Sequence, residues 1–206
     1  TGLKPGTYTF REVQQANWHC STPGNNAGNE DDCEFTETFI SGETSPENVF
    51  GNWKEAKKVG HKFNDLNANG VENAGEPRLQ GWTIYIDANA NNALDAGETS
   101  TTTDANGHFE FTGLKPGTYT FREVQQANWH CSTPGNNAGN EDDCEFTETF
   151  ISGETSPENV FGNWKEAKKV GHKFNDLNAN GVENAGEPRL QGWTIYIDAN
   201  ANNALD

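Results

Sequence analysis

The chain repeats itself letter for letter with a period of 111 residues. Thr1–Asp95 reappears as Thr112–Asp206, so the 206 residues hold one full period and most of a second. That period is far above the roughly 20–50 residues of a stacked solenoid unit. It matches a small domain of about 100 residues. The expectation is an array of like domains strung along the chain, with both ends of this sequence falling inside a repeat.

Turn signals recur every few residues, as in GEP, DANG, LKPG, STPG and SGETSP. Between them lie short alternating or aromatic-rich runs. The pattern predicts seven strands, at 60–65, 82–87, 98–103, 108–112, 118–124, 145–151 and 158–164. The run TYTFREV shows the period of two, with Tyr119, Phe121 and Glu123 on one face. No run reads as an amphipathic helix. The expected fold class is all-β: tandem seven-stranded sandwiches. The Lys-rich KEAKK, at 54–58 and again at 165–169, reads as the linker. Residues 1–56 are then the closing part of one repeat, 57–167 a complete repeat, and 168–206 the opening part of the next.

The net charge is −17, from 31 acidic and 14 basic residues. Such a surface repels phosphate backbones and anionic membranes, and it attracts cations. No apolar run approaches the ~20 residues of a membrane span. Hydrophobic residues make up 32% of the chain, which leaves a thin core in need of staples. The cysteines offer one kind. Cys20 and Cys33 recur as Cys131 and Cys144, thirteen residues apart in each copy. An even count at repeated spacing points to disulfides and an oxidising, extracellular compartment. Pairing within each loop is expected; pairing between chains and free thiols are the alternatives.

Clustered Asp and Asn offer the second kind. DLNANGVENAGE places side-chain oxygens at loop positions 1, 3, 5, 9 and 12: Asp65, Asn67, Asn69, Asn73 and Glu76. Gly70 falls at position 6, and Val71 supplies a backbone carbonyl at position 7. This is the spacing of a calcium loop, which gathers six to eight hard oxygens around the ion. DANANNALDAGE follows with Asp87, Asn89, Asn91, Ala93 (carbonyl), Asp95 and Glu98. Asp104, in DANGH, is a further candidate oxygen. The next repeat offers Asp176, Asn178, Asn180, Val182, Asn184 and Glu187, then Asp198, Asn200, Asn202 and Asp206. The competing reading is a set of Asx-rich turns. The many Asn residues lower the charge of each site and imply weak affinity, on the order of 0.1–1 mM.

The stretch from GHKFNDLNANG to TYTFREV resembles the calcium-binding B-type repeat of serine-aspartate-repeat (SdrD-like) surface adhesins, within the wider Cna B-type fold. The resemblance covers Val59 to about Val124. It implies an immunoglobulin-like β-sandwich, calcium in the loops and a spacer role at a cell surface. The Cys-bearing insertion NWHCSTPGNNAGNEDDCEF is not part of that pattern. Some members also close a Lys–Asn amide bond beside an acid, and the matching positions are Lys62 in HKF, Glu123 in YTFREV and Asn163 in FGNW. The alternative there is an ordinary surface lysine and a sheet-end asparagine.

Trp82, Trp129 and Trp164 read either as packing or as a sugar-binding platform. His61, His108 and His130 lack catalytic spacing, and no GxSxG, HExxH or P-loop occurs. The sequence therefore reads as a structural subunit of an extracellular fibre or stalk, not an enzyme, with neighbouring repeats or identical subunits as partners. The alternative is an adhesin or glycan- or protein-binding module that uses the repeats as a spacer.

Overall fold

The computed structural model describes residues 2–23, 33–134 and 144–205. Every regular element among them is a strand. Two units are distinguished, Thr1–Glu166 and Ala167–Asp206.

The first unit opens with the closing part of a repeat. Here β1 (Gly6–Arg11) pairs with β3 (Glu34–Phe39), and β2 (Trp18–Thr22) pairs with β4 (Gly51–Lys54). The complete repeat follows as β5 (Ala56–Asn64), β6 (Thr83–Ile86), β7 (Ser100–Thr102), β8 (His108–Leu114), β9 (Gly117–Glu123), β10 (Trp129–Thr133), β11 (Glu145–Phe150) and β12 (Asn159–Lys165). These form two four-stranded sheets, in the orders β10-β12-β5-β8 and β11-β9-β6-β7. The first and last strands lie side by side: β12 pairs with β5 in parallel, Asn159 opposite Gly60 and Asn163 opposite Asn64.

The two sheets bury their apolar faces on each other. Ile84, Ile86, Phe121 and Phe150 come from one sheet, and Phe109, Phe111 and Phe161 from the other; all are buried. Phe111 meets Phe121 at 5.3 Å and Phe146 meets Phe161 edge-on at 4.8 Å, which closes the sandwich across the gap.

The sequence expectation is corrected in two places. Among the described residues the repeat has eight strands, not seven. The extra one is β10, whose WHCST lacks an apolar alternation and is held by pairing with β12. The Lys-rich stretch at 54–58 is not a separate linker, whereas its copy at 165–169 does hold the boundary between the two units. Ala56–Lys58 begins β5, so Glu55 alone separates β4 from β5. Lys58 is fully buried, because Glu148, ninety residues away, meets its ammonium.

The junction between the two parts is tied down. Lys54 N–H donates to Ser152 Oγ at 2.8 Å and Gly153 N–H to the Lys54 carbonyl at 2.9 Å. The Lys115 ammonium lies 5.5 Å from the Trp53 ring.

In the second unit, Trp193, Ile195 and Ile197 are exposed. Their counterparts Trp82, Ile84 and Ile86 are buried. Burial of this strand is therefore a property of the sheets around it and not of its own sequence.

Candidate functional site

β5 is buried without a break from Gly60 to Phe63, and Lys62 shares its inward face with Lys58 and Gly60. Lys62 and Asn163 are fully buried, and the Glu123 side chain is 1% exposed. Lys62 Nζ donates to Glu123 Oε2 at 2.5 Å and also to Asn163 Oδ1. Asn163 Nδ2 donates to the other carboxylate oxygen, Glu123 Oε1. The three groups thus close a ring: amine to acid, acid to amide, amide to amine. The parallel register sets it up, since Lys62 faces Phe161 and Asn163 lies two residues further along β12.

The surroundings are dry. The Trp82 ring centroid is 4.0 Å from Lys62 Nζ and that of Phe161 is 5.9 Å away. Burial pulls the Lys62 pKa from 10.5 down to about 8, against the opposing pull of the Glu123 charge and hydrogen bond. Burial pushes the Glu123 carboxyl up, against Lys62 and Asn163. Both shifts favour a neutral amine beside a protonated acid. That pair is a nucleophile and a proton carrier held against an amide carbon.

The Cys-bearing insertion borders this ring. Cys131 bonds to Cys144, and Cys20 bonds to Cys33, so each pair closes within its own loop. Cys131 is paired with Asn163 across β10 and β12, and Cys144 Sγ sits 3.8 Å from Asn163 Oδ1. Trp82 is buried edge-on against Trp129 at 5.5 Å, and Trp164 stacks on His130 at 4.5 Å. The tryptophans are engaged in packing around the ring.

The calcium-type loops have one geometry, repeated. In the first, Asp65 Oδ1 accepts from Asn69 N–H at 3.2 Å and Oδ2 from Gly70 N–H at 2.7 Å. The Glu76 carboxylate closes the loop onto Leu66 N–H at 2.9 Å and Asn73 N–H at 2.8 Å. Asn67 and Asn69 both turn their amides to Asn73 Oδ1. Burial pushes the Asp65 carboxyl up, but the N–H groups of Gly70, Asn69 and Asn67 help hold it below its ordinary value. Ala68 and Gly70 take positive φ to make the turn.

The second loop copies this through Asp87, Asn89, Asn91, Ala93, Asp95 and Glu98. Asn92 takes the place of Gly70, at a φ of 64°. It differs also in one contact: Arg122 Nε donates to Asp87 Oδ2 at 2.8 Å, so one oxygen is already committed to a cation.

Asp176, Asn178, Asn180, Val182, Asn184 and Glu187 repeat the first loop in the second unit, without the surrounding sandwich. The loop conformation is therefore written locally. Asp198, Asn200 and Asn202 begin the same turn; Asp206 lies outside the described residues. Asp104 uses Oδ1 on its own turn, accepting from Asn106 and His108 N–H. The donor set is all oxygen and suits a hard cation. It is rich in amides, and among the described residues no three His, Cys, Asp or Glu side chains converge on one point.

Two constellations escape a reading of the sequence. His61 is buried between Glu158, at 2.6 Å from Nδ1, and Glu72, at 3.0 Å from Nε2. Lys58 Nζ donates to Glu148 Oε2 at 2.7 Å, and Asn159 Nδ2 donates to Glu148 Oε1 at 2.8 Å. The only written hint of the latter is that Lys58 precedes Lys62, and Asn159 precedes Asn163, by the same four residues.

The chain is 26% identical over 214 residues to serine-aspartate repeat-containing protein F of Staphylococcus epidermidis, and to the same protein of a second strain of that species. The matches cover 100% of this chain but 12% and 13% of those proteins, so it spans a small part of its relatives' length. Among solved structures it is similar to the minor pilin of Streptococcus agalactiae, with 13% identity over 84% of this chain and 88% of that one, at a TM-score of 0.38. It is also similar to the major pilin subunit of Bacillus cereus, with 15% identity over 67% of this chain and 36% of that one, at a TM-score of 0.37. The model of the SdrD B-like domain matches residues 57–160, just over half of the sequence, and the chain belongs to that family.

Proposed function

We propose that this chain is a load-bearing segment of an extracellular fibre or stalk. Its tandem repeats, immunoglobulin-like sandwiches of Cna B type in this reading, are clamped by calcium in the loops and by an amide bond from Lys62 to Asn163. The location is the cell surface or the space outside it, which accords with the disulfides. Neighbouring repeats or identical subunits are the partners. The observation that carries the reading is the buried ring of Lys62, Glu123 and Asn163 between the first and last strands.

The reaction balances without a co-reactant. Lys62 passes a proton to Glu123, and its neutral Nζ attacks Asn163 Cγ. The Nζ–Cγ bond forms, the Cγ–Nδ2 bond breaks, and ammonia leaves with protons returned through Glu123. The group reacts once with its own chain, so no turnover is implied. A bond there shelters the 101 residues of sequence separation between its ends from a pulling force.

Single-molecule stretching tests this. Under reducing conditions the native chain should give no extension step from the complete repeat, and a variant lacking both buried lysines of β5, Lys58→Ala with Lys62→Ala, should add a step of about 300–350 Å. A native repeat that unravels like the variant would sink the load-bearing reading.

Calcium, when bound, would supply charge neutralisation to Asp65, Glu76 and the loop amides. With free calcium about a hundred times Kd, each site adds about 2.7 kcal/mol. Chelation is then expected to lower the melting temperature by roughly 10 °C for one site lost. Calorimetry with calcium and with chelator checks this, and equal melting temperatures would remove calcium from the account.

A further inference from the structure

We propose that the repeat holds a second self-crosslinking site, joining Lys58 Nζ to Asn159 Cγ with Glu148 as the acid–base group between them. This rests on the chemistry read for Lys62 and Asn163, applied to residues that neither the family resemblance nor the sequence motif singled out.

The geometry is the first site displaced by four residues. Lys58 stands four before Lys62 on β5, and Asn159 four before Asn163 on β12. The strands are parallel and in continuous register, so each asparagine faces the residue two beyond its lysine: Asn159 faces Gly60, and Asn163 faces Asn64. The acid follows the same displacement, although it comes from another strand. Glu148 on β11 is paired with Tyr119, which stands four before Glu123 on β9. Two strands therefore repeat the arrangement, and a third supplies the acid at the matching register.

Two of the three hydrogen bonds repeat it as well, with the Pro157 carbonyl in place of the asparagine oxygen as the lysine's other acceptor. Glu148 gives Oε2 to the Lys58 ammonium at 2.7 Å and Oε1 to the Asn159 amide at 2.8 Å. Glu123 divides its two oxygens between Lys62 and Asn163 in the same way. The carboxylate–amide half recurs in the preceding part-repeat, where Asn48 Nδ2 donates to Glu37 Oε1 at 2.7 Å. These are the counterparts of Asn159 and Glu148.

The amine is enclosed. Lys58 is fully buried, with Phe121 and Phe146 ring centroids 5.8 and 5.7 Å from Nζ. The Pro157 carbonyl is its further acceptor, at 3.4 Å. Burial draws its pKa down, against the hydrogen bond and charge of Glu148. A lysine meant only for a surface ion pair has no need of such enclosure. Glu148 is more open than Glu123, with its side chain 25% exposed against 1%. The second bond should therefore close after the first, since water competes at its acid.

The step balances as before. The Lys58 ammonium gives a proton to Glu148, and Nζ attacks Asn159 Cγ. The Cγ–Nδ2 bond breaks, and ammonia departs with protons relayed by Glu148.

Intact mass of the folded chain, measured after denaturation and reduction, tests it. Each bond expels one ammonia, so two bonds remove about 34 Da and one removes about 17 Da. Loss of two is expected, falling to one in Glu148→Ala and to one in Glu123→Ala. Peptide mapping of the native chain should recover a branched peptide joining Lys58 to Asn159, which needs no variant to fold and excludes ammonia lost by asparagine cyclisation. A single loss mapped to Lys62 and Asn163, unchanged in Glu148→Ala, overturns the second bond and leaves the first standing. A Lys58–Asn159 branch without a Lys62 one upholds this inference and overturns the other. No loss and no branched peptide overturns both.

Discussion

Replacing Glu123 with alanine is expected to prevent the proposed Lys62–Asn163 bond and to leave a domain weaker by about 3–5 kcal/mol than an uncrosslinked parent. The argument begins with the lysine and not with the glutamate. Lys62 is fully buried, with Trp82 over its ammonium. Without Glu123 that charge has no counter-ion, so the amine sheds its proton instead. Neutralising a lysine of ordinary pKa 10.5 at pH 7 costs about 1.4 kcal/mol per pH unit, which caps the penalty near 5 kcal/mol.

The sign of the pH effect follows. The unfolded chain keeps its proton up to 10.5 while the folded variant does not, so stability rises with pH and the deficit shrinks toward pH 10. Denaturant titrations of Glu123→Ala against Lys62→Met, at pH 7 and pH 9.5, read this directly. Lys62→Met leaves Glu123 to be buried as the neutral acid, which from an ordinary pKa of 4.5 costs less at pH 7 than neutralising the lysine, so it should be the more stable variant there. Equal stability of the two at both pH values would show that Lys62 is not held in a dry site.

The second large effect is steric. Gly60→Ala should cost about 3 kcal/mol or more, enough to shift a denaturation midpoint plainly. A Cβ there would stand 2.3 Å from Phe109 Cζ and 2.4 Å from the Asn159 carbonyl oxygen. The second of these is backbone of β12, and Phe109 is itself buried at 1% exposure. Neither neighbour can yield without opening the β5–β12 ladder or the core. The chain supplies its own control: Gly171, the counterpart in the second unit, has nothing within 4 Å of a would-be Cβ. Gly171→Ala should leave the midpoint of the complete repeat unchanged. Equal midpoints for both variants would contradict the packing described for β5.

The conformation of the Asp- and Asn-rich loops is legible in the sequence because its code is local. Asp65 bonds to residues four and five further on, and the same bonds form at Asp176 without a sandwich around them. The alternation of Tyr119, Phe121 and Glu123 likewise predicted a strand and its buried face. Lys62, Glu123 and Asn163 were legible only through family resemblance, since they lie 40 to 101 residues apart in pairs.

What could not be read is of the same kind. KEAKK looks solvated because three of its five residues are lysines, yet Lys58 meets Glu148 ninety residues later. The strand Trp129–Thr133 carries no period of its own and exists through its partner β12. The Arg122–Asp87 ion pair spans 35 residues and alters the chemistry of a loop whose sequence looks complete.

The parallel pairing of β5 with β12 has a mechanical consequence. Two neighbouring strands that run the same way put the start of the first and the finish of the last at opposite ends of the sandwich. Each repeat of this topology therefore takes the chain in at one end and gives it out at the other. Tension applied along it acts on that pair in shear, loading the rungs from Asn159 to Asn163 together instead of one after another.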